Sequence, residues 1–510
     1  MRFFETLLPF ILASVTLASP EPQRVSTTKS KCADPLSLLK KAVRDDAALL
    51  IPGSVAYESE MTRSYNYGAT EIRPKVIARP LNSQQAAKVV KALVDNDCKF
   101  AIMSGGHSPI REANHSPNVI ISTSGLKVLE YIKPGVLSVS PGYRWKDVYP
   151  KALEVGHTAV GGRHSDVGVG GFLLGGGISH LSFKHGWGSD NVVNYELVLP
   201  SGKLINVNKS SHPKLFWALK GGLNNFGLVT RFDIKTYPTP KNVIGGANYY
   251  LADKIPTIMA AFNKWQYVDQ PKNLAQSLFQ VVISGPNVEA ALGAPTLTAI
   301  TAYEDSDLQA PGPGFTEFTN IESVMSTIGP RPSHLNLTIE TSAEDTHDYR
   351  QMFYTGTFRA DPRLSKLTND LMQERLIPLL RTDSVDNSTS YCSLALQPIS
   401  KSFLSKGYGT SAITLDPKKA PYTVYLYGLQ YSDPKLDAPL KKATLDIIAE
   451  VKKEAKKLGK GVDFVYGNDL GEGQQGGLYG AMGVSGKLRQ IRKEYGGAKW
   501  SKLVSGGYKF

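Results

Sequence analysis

Two glycine-rich stretches constrain this chain more than any other feature in it. The first, Ser104-Gly105-Gly106-His107-Ser108, follows the apolar run Phe100-Ala101-Ile102-Met103, and the second extends from Gly161 to Gly177 as GGRHSDVGVGGFLLGGG. Glycine carries no Cβ, so main-chain N–H groups there approach an anionic or planar ligand that side chains would otherwise hold away. Two such surfaces point to one long ligand lying across both. Taken alone, Ser-Gly-Gly-His-Ser is equally a turn with a solvated histidine. Its pairing with the second stretch and with a third, Gly221-Gly222-Leu223-Asn224-Asn225-Phe226-Gly227-Leu228-Val229-Thr230, favours the ligand.

Hydrophobic periodicity predicts an α+β chain. An extended segment at 76–80 leads into a helix that Asn82 and Ser83 can cap, with Ala86, Val89, Val90 and Leu93 spaced for its buried face. Strands are expected at 100–103, 119–122 and 136–139. No Gly-x-Gly-x-x-Gly turn follows the first strand, which argues against a Rossmann domain although 168–177 superficially resembles its glycine pattern. The prolines of Thr236-Tyr237-Pro238-Thr239-Pro240 mark a boundary. Beyond it, strand-like segments at 277–284, 297–303, 334–341 and 422–430 alternate with helical ones at 255–268, 364–380 and 439–458, as in a sheet with helices on one face. No internal repeat stands out.

At 510 residues the chain has room for two domains, and 41% apolar with 20% charged content excludes disordered and fibrous classes. A net charge of +13 raises the question of a nucleic-acid partner. The densest basic group, Lys452-Lys453-Glu454-Ala455-Lys456-Lys457, lies on a segment with helical spacing of Leu440, Leu445, Ile448, Val451 and Leu458, so a solvated helix face explains it and no nucleic acid is expected. Residues 1–19 read as a secretory signal, a charged start followed by an apolar stretch ending at Ala18-Ser19; a buried N-terminal helix is the alternative. No later run of about twenty apolar residues predicts a membrane span. A secreted, soluble protein follows.

In an oxidising compartment two of the three cysteines would pair. Sequons at Asn114, Asn208, Asn336 and Asn387 are compatible with glycosylated surface loops. His157, His180 and His185 lack metal-ligand spacing, so no metal is expected, and no Gly-x-Ser-x-Gly elbow suggests a hydrolase.

Through the three glycine motifs and Tyr466-Gly467-Asn468, the sequence from about Cys32 onward resembles the FAD-linked oxidases whose flavin domain is shared with vanillyl-alcohol oxidase and p-cresol methylhydroxylase (PCMH), and among them the berberine-bridge-enzyme-like branch. The resemblance implies a PCMH-type FAD-binding domain at 32–240, a substrate-binding domain at 241–460 with a mainly antiparallel sheet, and a return to the first domain at 461–510. It implies FAD bonded to His107, with Ser104, Gly105, Gly106 and Ser108 at the pyrophosphate. Gly170, Gly171, Gly175, Gly176 and Gly177 would follow the flavin and ribityl chain, and the Val229 backbone would sit near the adenine. Many members add a second link through a cysteine at the position held here by His164, so a single covalent link at His107 is expected. A Cys32–Cys98 pair, with Cys392 left as a buried thiol, is implied in the same way.

Tyr466 corresponds to the general base of these oxidases and Asn468 to an orienting residue. A phenol with its ordinary pKa of about 10 needs a cation or hydrogen-bonding partner to serve near neutral pH. Two departures from the family stand out: the glycine-rich tract at 469–480 after the motif, and the lack of Asp-Pro after Arg492-Lys493-Glu494-Tyr495. The implied activity is oxidation of a small-molecule alcohol, carbohydrate or secondary metabolite by a monomeric enzyme, with O2 reduced to H2O2. A flavin-dependent dehydrogenase or ring-closing enzyme, and a non-enzymatic wall-binding glycoprotein, are the alternatives.

Overall fold

The computed structural model describes residues 32–240, 242–305, 310–342, 347–474, 483–506 and 509. The signal segment 1–19 and positions 475–480 of the glycine-rich tract lie outside the described residues. Three sheets organise the chain. In the first, Val76–Ala78 and Phe100–Met103 both pair in parallel with Val119–Ser122, and Leu49–Leu50 joins antiparallel at the edge. Short runs of β-branched and apolar residues suit strands covered on both faces. The helix Ser83–Asp95 connects two of them. Asn82 caps it by accepting from the Gln85 N–H at 2.9 Å, and Ala86, Val89, Val90 and Leu93 are buried as their spacing requires. Cys32 and Cys98 form a disulfide beside this helix, and the Cys392 thiol is buried.

The second sheet is antiparallel: Leu129–Lys133, Val136–Val139, Leu228–Pro238, Val192–Val198 and Leu204–Asn208 in that order, with His157–Ala159 also paired to Leu228–Pro238. Both helices near the C-terminus return to these layers. Leu488 and Ile491 of Ser485–Glu494 join the core of the second sheet, and Trp500 and Leu503 of Gly497–Leu503 join that of the first.

The third sheet has eight antiparallel strands, among them Val243–Leu251, Gln276–Ser284, Thr296–Glu304, Tyr391–Ile399, Tyr422–Tyr431 and Arg350–Arg359. Period-2 alternation gives each strand two destinations. Leu278 and Val282 pack with Ile258, Phe262 and Trp265 of the helix Ile255–Val268 and with Leu440, Ile447 and Val451 of Asp437–Lys457. Phe279, Val281 and Ile283 sit on the opposite face, over a cavity. Full burial of one such side chain contributes about 1.5–3 kcal/mol, so the helix-covered face holds the sheet and leaves the other free to bind.

Three sequence expectations differ from the fold. Residues 334–341 form a helix, His334–Glu340, rather than a strand. The Leu335, Leu337, Ile339 alternation mimics period 2, yet the buried set is His334, Leu337 and Thr338, with helical spacing. Along Asp437–Lys457 the buried stripe runs through Leu440, Thr444, Ile447, Val451 and Ala455, while Leu445, Ile448 and Leu458 flank it half-buried; the lysines at 452, 453, 456 and 457 are exposed, as a solvated face requires. The Asn114 sequon is buried, its amide donating to the Ser108 carbonyl at 3.3 Å, whereas Asn387 is exposed.

Candidate functional site

A cavity of about 540 Å³ runs between the glycine segments and the free face of the third sheet. This is an ordinary size for a small-molecule or cofactor site. The two glycine motifs meet back to back: a Cβ on Gly168 would lie 2.5 Å from both Cα and N of Gly105, inside any tolerable contact. Ser104 ties them together, donating to the Pro141 carbonyl at 2.5 Å and accepting from the Gly170 N–H at 3.2 Å. Gly106 has φ +82°, in the left-handed region that glycine adopts without strain, and a Cβ there would run into the Arg63 carbonyl.

Ion pairs brace this junction from behind. Arg144 donates to the Gly105 carbonyl at 2.8 Å and to the Arg63 carbonyl at 3.0 Å, and pairs with Asp166 at 2.5 Å. Asp166 also receives Lys146 and His347. Burial works to raise the Asp166 carboxyl, but these donors outweigh it and hold it well below the carboxylate range.

Ser104, Gly105, Gly106, His107, Ser108, His164, Gly170, Gly171 and Val229 all line the cavity. Tyr65 stacks on the His107 imidazole with ring centroids 4.2 Å apart and fixes its plane. Gly175, Gly176 and Gly177 are not among the residues that line the cavity. A Cβ on Gly176 would meet Ile413 at 2.7 Å, one on Gly177 would run into the Phe172 ring, and one on Gly175 into the Asn468 amide. Packing and the seating of Asn468 explain these three glycines.

Gly171 is different. It lies within the helix Val169–Leu174, where alanine would be the better helix former, and nothing stands within 4 Å of a Cβ built on it. No packing within the protein calls for glycine there. A flat ligand lying on the helix would. Among the described residues lining the cavity, Arg163 is the sole lysine or arginine, so a pyrophosphate in the glycine loops would be met by backbone N–H groups. Both observations fit FAD.

Tyr466 is fully enclosed at the far end. Its hydroxyl oxygen accepts from the N–H groups of Gly177 at 3.1 Å and Ile178 at 3.0 Å and from Asn468 Nδ2 at 3.1 Å. A second bond from Nδ2 to the Phe172 carbonyl at 3.1 Å settles which way the amide faces. Burial, and then the charge of Asp469, raise the phenol above its usual range, while the donors and Arg163 act against them. Both the cation and the hydrogen-bonding partners expected beside Tyr466 are therefore in place, but they do not prevail.

Sequence reading passed over three residues here. Arg163 Nη2 donates to Gln397 Oε1, and Gln397 Nε2 donates to Asp469 at 2.6 Å. The guanidinium lies over the Phe279 ring at 4.5 Å. Burial pushes the Asp469 carboxyl up to about 6, less the effects of Gln397 and Arg163. Arg163 adjoins His164 in the second glycine segment and was open to notice; Gln397 comes from a distant strand with no local signal. Elsewhere, His180 and His334 are buried and pack against Tyr303, and burial holds both neutral, His334 down at about 4. Among the described residues no group of three His, Cys, Asp or Glu side chains is arranged to hold a metal, and no helix is long and apolar enough to cross a membrane.

The FAD binding domain family matches residues 74–208 of this chain. "FAD-dependent monooxygenase prx3" of Penicillium roqueforti is 30% identical over 480 residues, covering 90% of each chain. Among solved structures, the xylooligosaccharide oxidase of Myceliophthora thermophila, in complex with xylobiose, superposes with TM-score 0.72 at 16% identity over 92% of this chain and 99% of its own. Berberine bridge enzyme from Eschscholzia californica gives TM-score 0.70 at 16% identity, over 93% and 98%. The structural likenesses establish the fold; the Penicillium sequence reaches further.

Proposed function

This chain belongs to the FAD-linked oxidoreductases, with the fold of the PCMH-type flavoproteins, and from that premise we propose a secreted oxidase of a small, largely apolar alcohol. The overall conversion is RCH2OH + O2 → RCHO + H2O2. One observation carries the reading: a single cavity extends from the backbone of both glycine segments to the Tyr466 hydroxyl, beneath a sheet face on which Phe279, Val281, Ile283, Ala299, Ala395 and Leu426 outnumber Thr301, Ser393 and Gln397. That face suits an aromatic or aliphatic skeleton better than the hydroxyl-rich surface of a sugar.

Ser104, Gly105, Gly106, Gly170 and Gly171 would hold FAD and His107 would tether it, and the bound flavin would supply the two-electron acceptor. The absence of a thiol at His164 supports one tether only. Tyr466, as phenolate, takes up the substrate's hydroxyl proton, and the N–H groups of Gly177, Ile178 and Asn468 hold the phenolate oxygen and stabilise its charge before the transfer. Because burial and Asp469 keep the phenol protonated at neutral pH, activity rises toward alkaline pH. The sheet face excludes water from this end, which strengthens each of those interactions.

The signal-like residues 1–19 and the Cys32–Cys98 bridge support export, and exposed Asn387 is the sequon best placed to carry a glycan. A peroxide-release screen tests the function. Hydrophobic and aryl alcohols should yield H2O2 with matching O2 uptake while oligosaccharides do not. Turnover confined to sugars would overturn the substrate class, and quinone reduction without O2 uptake would make the enzyme a dehydrogenase.

A further inference from the structure

The Tyr466 mechanism leaves one cavity side chain without a task. Arg163 lines the cavity half-buried, and desolvation there draws its pKa below the ordinary guanidinium value. Its geometry is specific: Nη2 on the neutral amide of Gln397, its flat face on Phe279, its own carbonyl taking the Thr341 hydroxyl at 2.6 Å. Among the described residues no carboxylate comes within ion-pair distance of it, since Asp469 reaches the guanidinium only through Gln397. The other acid on the cavity wall, Glu340, pairs with Arg331 at 2.7 Å. A guanidinium has five N–H donors, and this one commits a single nitrogen to the protein.

Taking a cation out of water is costly unless an anion meets it. Held by Gln397 and stacked on Phe279, with its remaining donors turned to a cavity in which it is the sole lysine or arginine among the described residues, Arg163 is preorganised for a planar anion such as a carboxylate. We propose that Arg163 is the anion subsite of the substrate cavity, and that the substrate is an aromatic or aliphatic alcohol bearing a carboxylate or an equally acidic planar oxyanion. The inference rests on the proposed oxidase reading and narrows its substrate class. Gln397 is a positioning residue: it holds the guanidinium at the strand Tyr391–Ile399 and keeps Asp469 from closing on it.

The test titrates the oxidised holoenzyme with matched pairs, benzoate against benzamide and 3-phenylpropionate against 3-phenylpropionamide, and follows the perturbation of the flavin spectrum. The wild-type protein should bind each acid at least about tenfold more tightly than its amide, the size of one charge-assisted hydrogen bond. In Arg163→Met the acid should lose about that factor while amide affinity and the resting spectrum stay unchanged; Arg163→Lys should recover part of the preference. Equal wild-type affinity for acid and amide overturns the proposal without any variant. So does an acid preference that survives Arg163→Met, or a resting flavin spectrum that shifts in that variant while the preference remains, since the cation would then serve the cofactor. A preparation with no flavin at all would defeat the oxidase reading instead, a separate outcome.

Discussion

Replacing Gly171 with alanine separates a glycine demanded by a ligand from one demanded by the protein. Nothing stands within 4 Å of the added methyl in the protein itself, and alanine in a helix is favoured over glycine by about 0.5–1 kcal/mol. Flavin-free Gly171→Ala should therefore unfold at the same temperature as wild type or slightly above it. Against a rigid planar cofactor the same methyl is an overpacking error costing about 1–3 kcal/mol, a loss of about fivefold to somewhat over a hundredfold in the flavin affinity that precedes tethering. Gly168→Ala is the comparison. Its Cβ lies 2.5 Å from the Gly105 backbone, so the two segments must part by about 0.9 Å to reach the 3.4 Å of ordinary contact, and both apoprotein stability and flavin content should fall. The assay is paired: thermal unfolding of apoprotein from riboflavin-starved cells, and bound flavin per chain by absorbance. Gly171→Ala protein with a full complement of flavin and an unchanged spectrum would show that the cofactor does not lie on this helix.

Tyr466→Phe should keep its flavin but turn over substrate about 10²-fold or more slowly, measured by O2 uptake, and an unchanged rate would remove the residue from the chemistry. Asp469→Asn deletes a charge that raises the Tyr466 phenol, so the alkaline rise of kcat should move to lower pH; a fixed profile would mean that this carboxylate does not tune the base. Burial lowers His115 and His334 from 6.5 to about 4, so below pH 6.5 the unfolded chain binds protons that the folded chain refuses. Stability should fall from there toward pH 4, by on the order of 1–3 kcal/mol per histidine. Asp469, raised from 3.8 to about 6, acts in the opposite sense, so the diagnostic is a shallower fall of the denaturation midpoint in His334→Leu than in wild type. Cys32→Ser opens a bridge spanning 66 residues and should cost about 2–4 kcal/mol by urea denaturation; no loss would mean the bridge does not form in solution.

The sequence was most readable where one local rule was enough. Asn82 caps its helix, Ala86, Val89, Val90 and Leu93 face inward, and the two glycine motifs come together, because capping, period and the lack of a Cβ are written in adjacent residues. It misled where two rules coincide. The alternation at 335, 337 and 339 satisfies a strand, and only tertiary burial of His334, Leu337 and Thr338 selects the helix. Gly175 to Gly177 look like Gly171 in sequence, yet those three accommodate neighbouring side chains whereas Gly171 faces open space. The Arg163–Gln397–Asp469 cluster unites three separate segments, and the alternation of Tyr391–Ile399 says which side Gln397 faces without saying what it meets.

Peptide mapping of the denatured protein tests the central claim most directly. After acid precipitation and trypsin digestion, the flavin mass should remain on the peptide containing His107 and on no other. Protein that is colourless, that sheds its flavin into the supernatant, or that carries it on the His164 peptide would contradict the cavity described here as the seat of a singly tethered FAD.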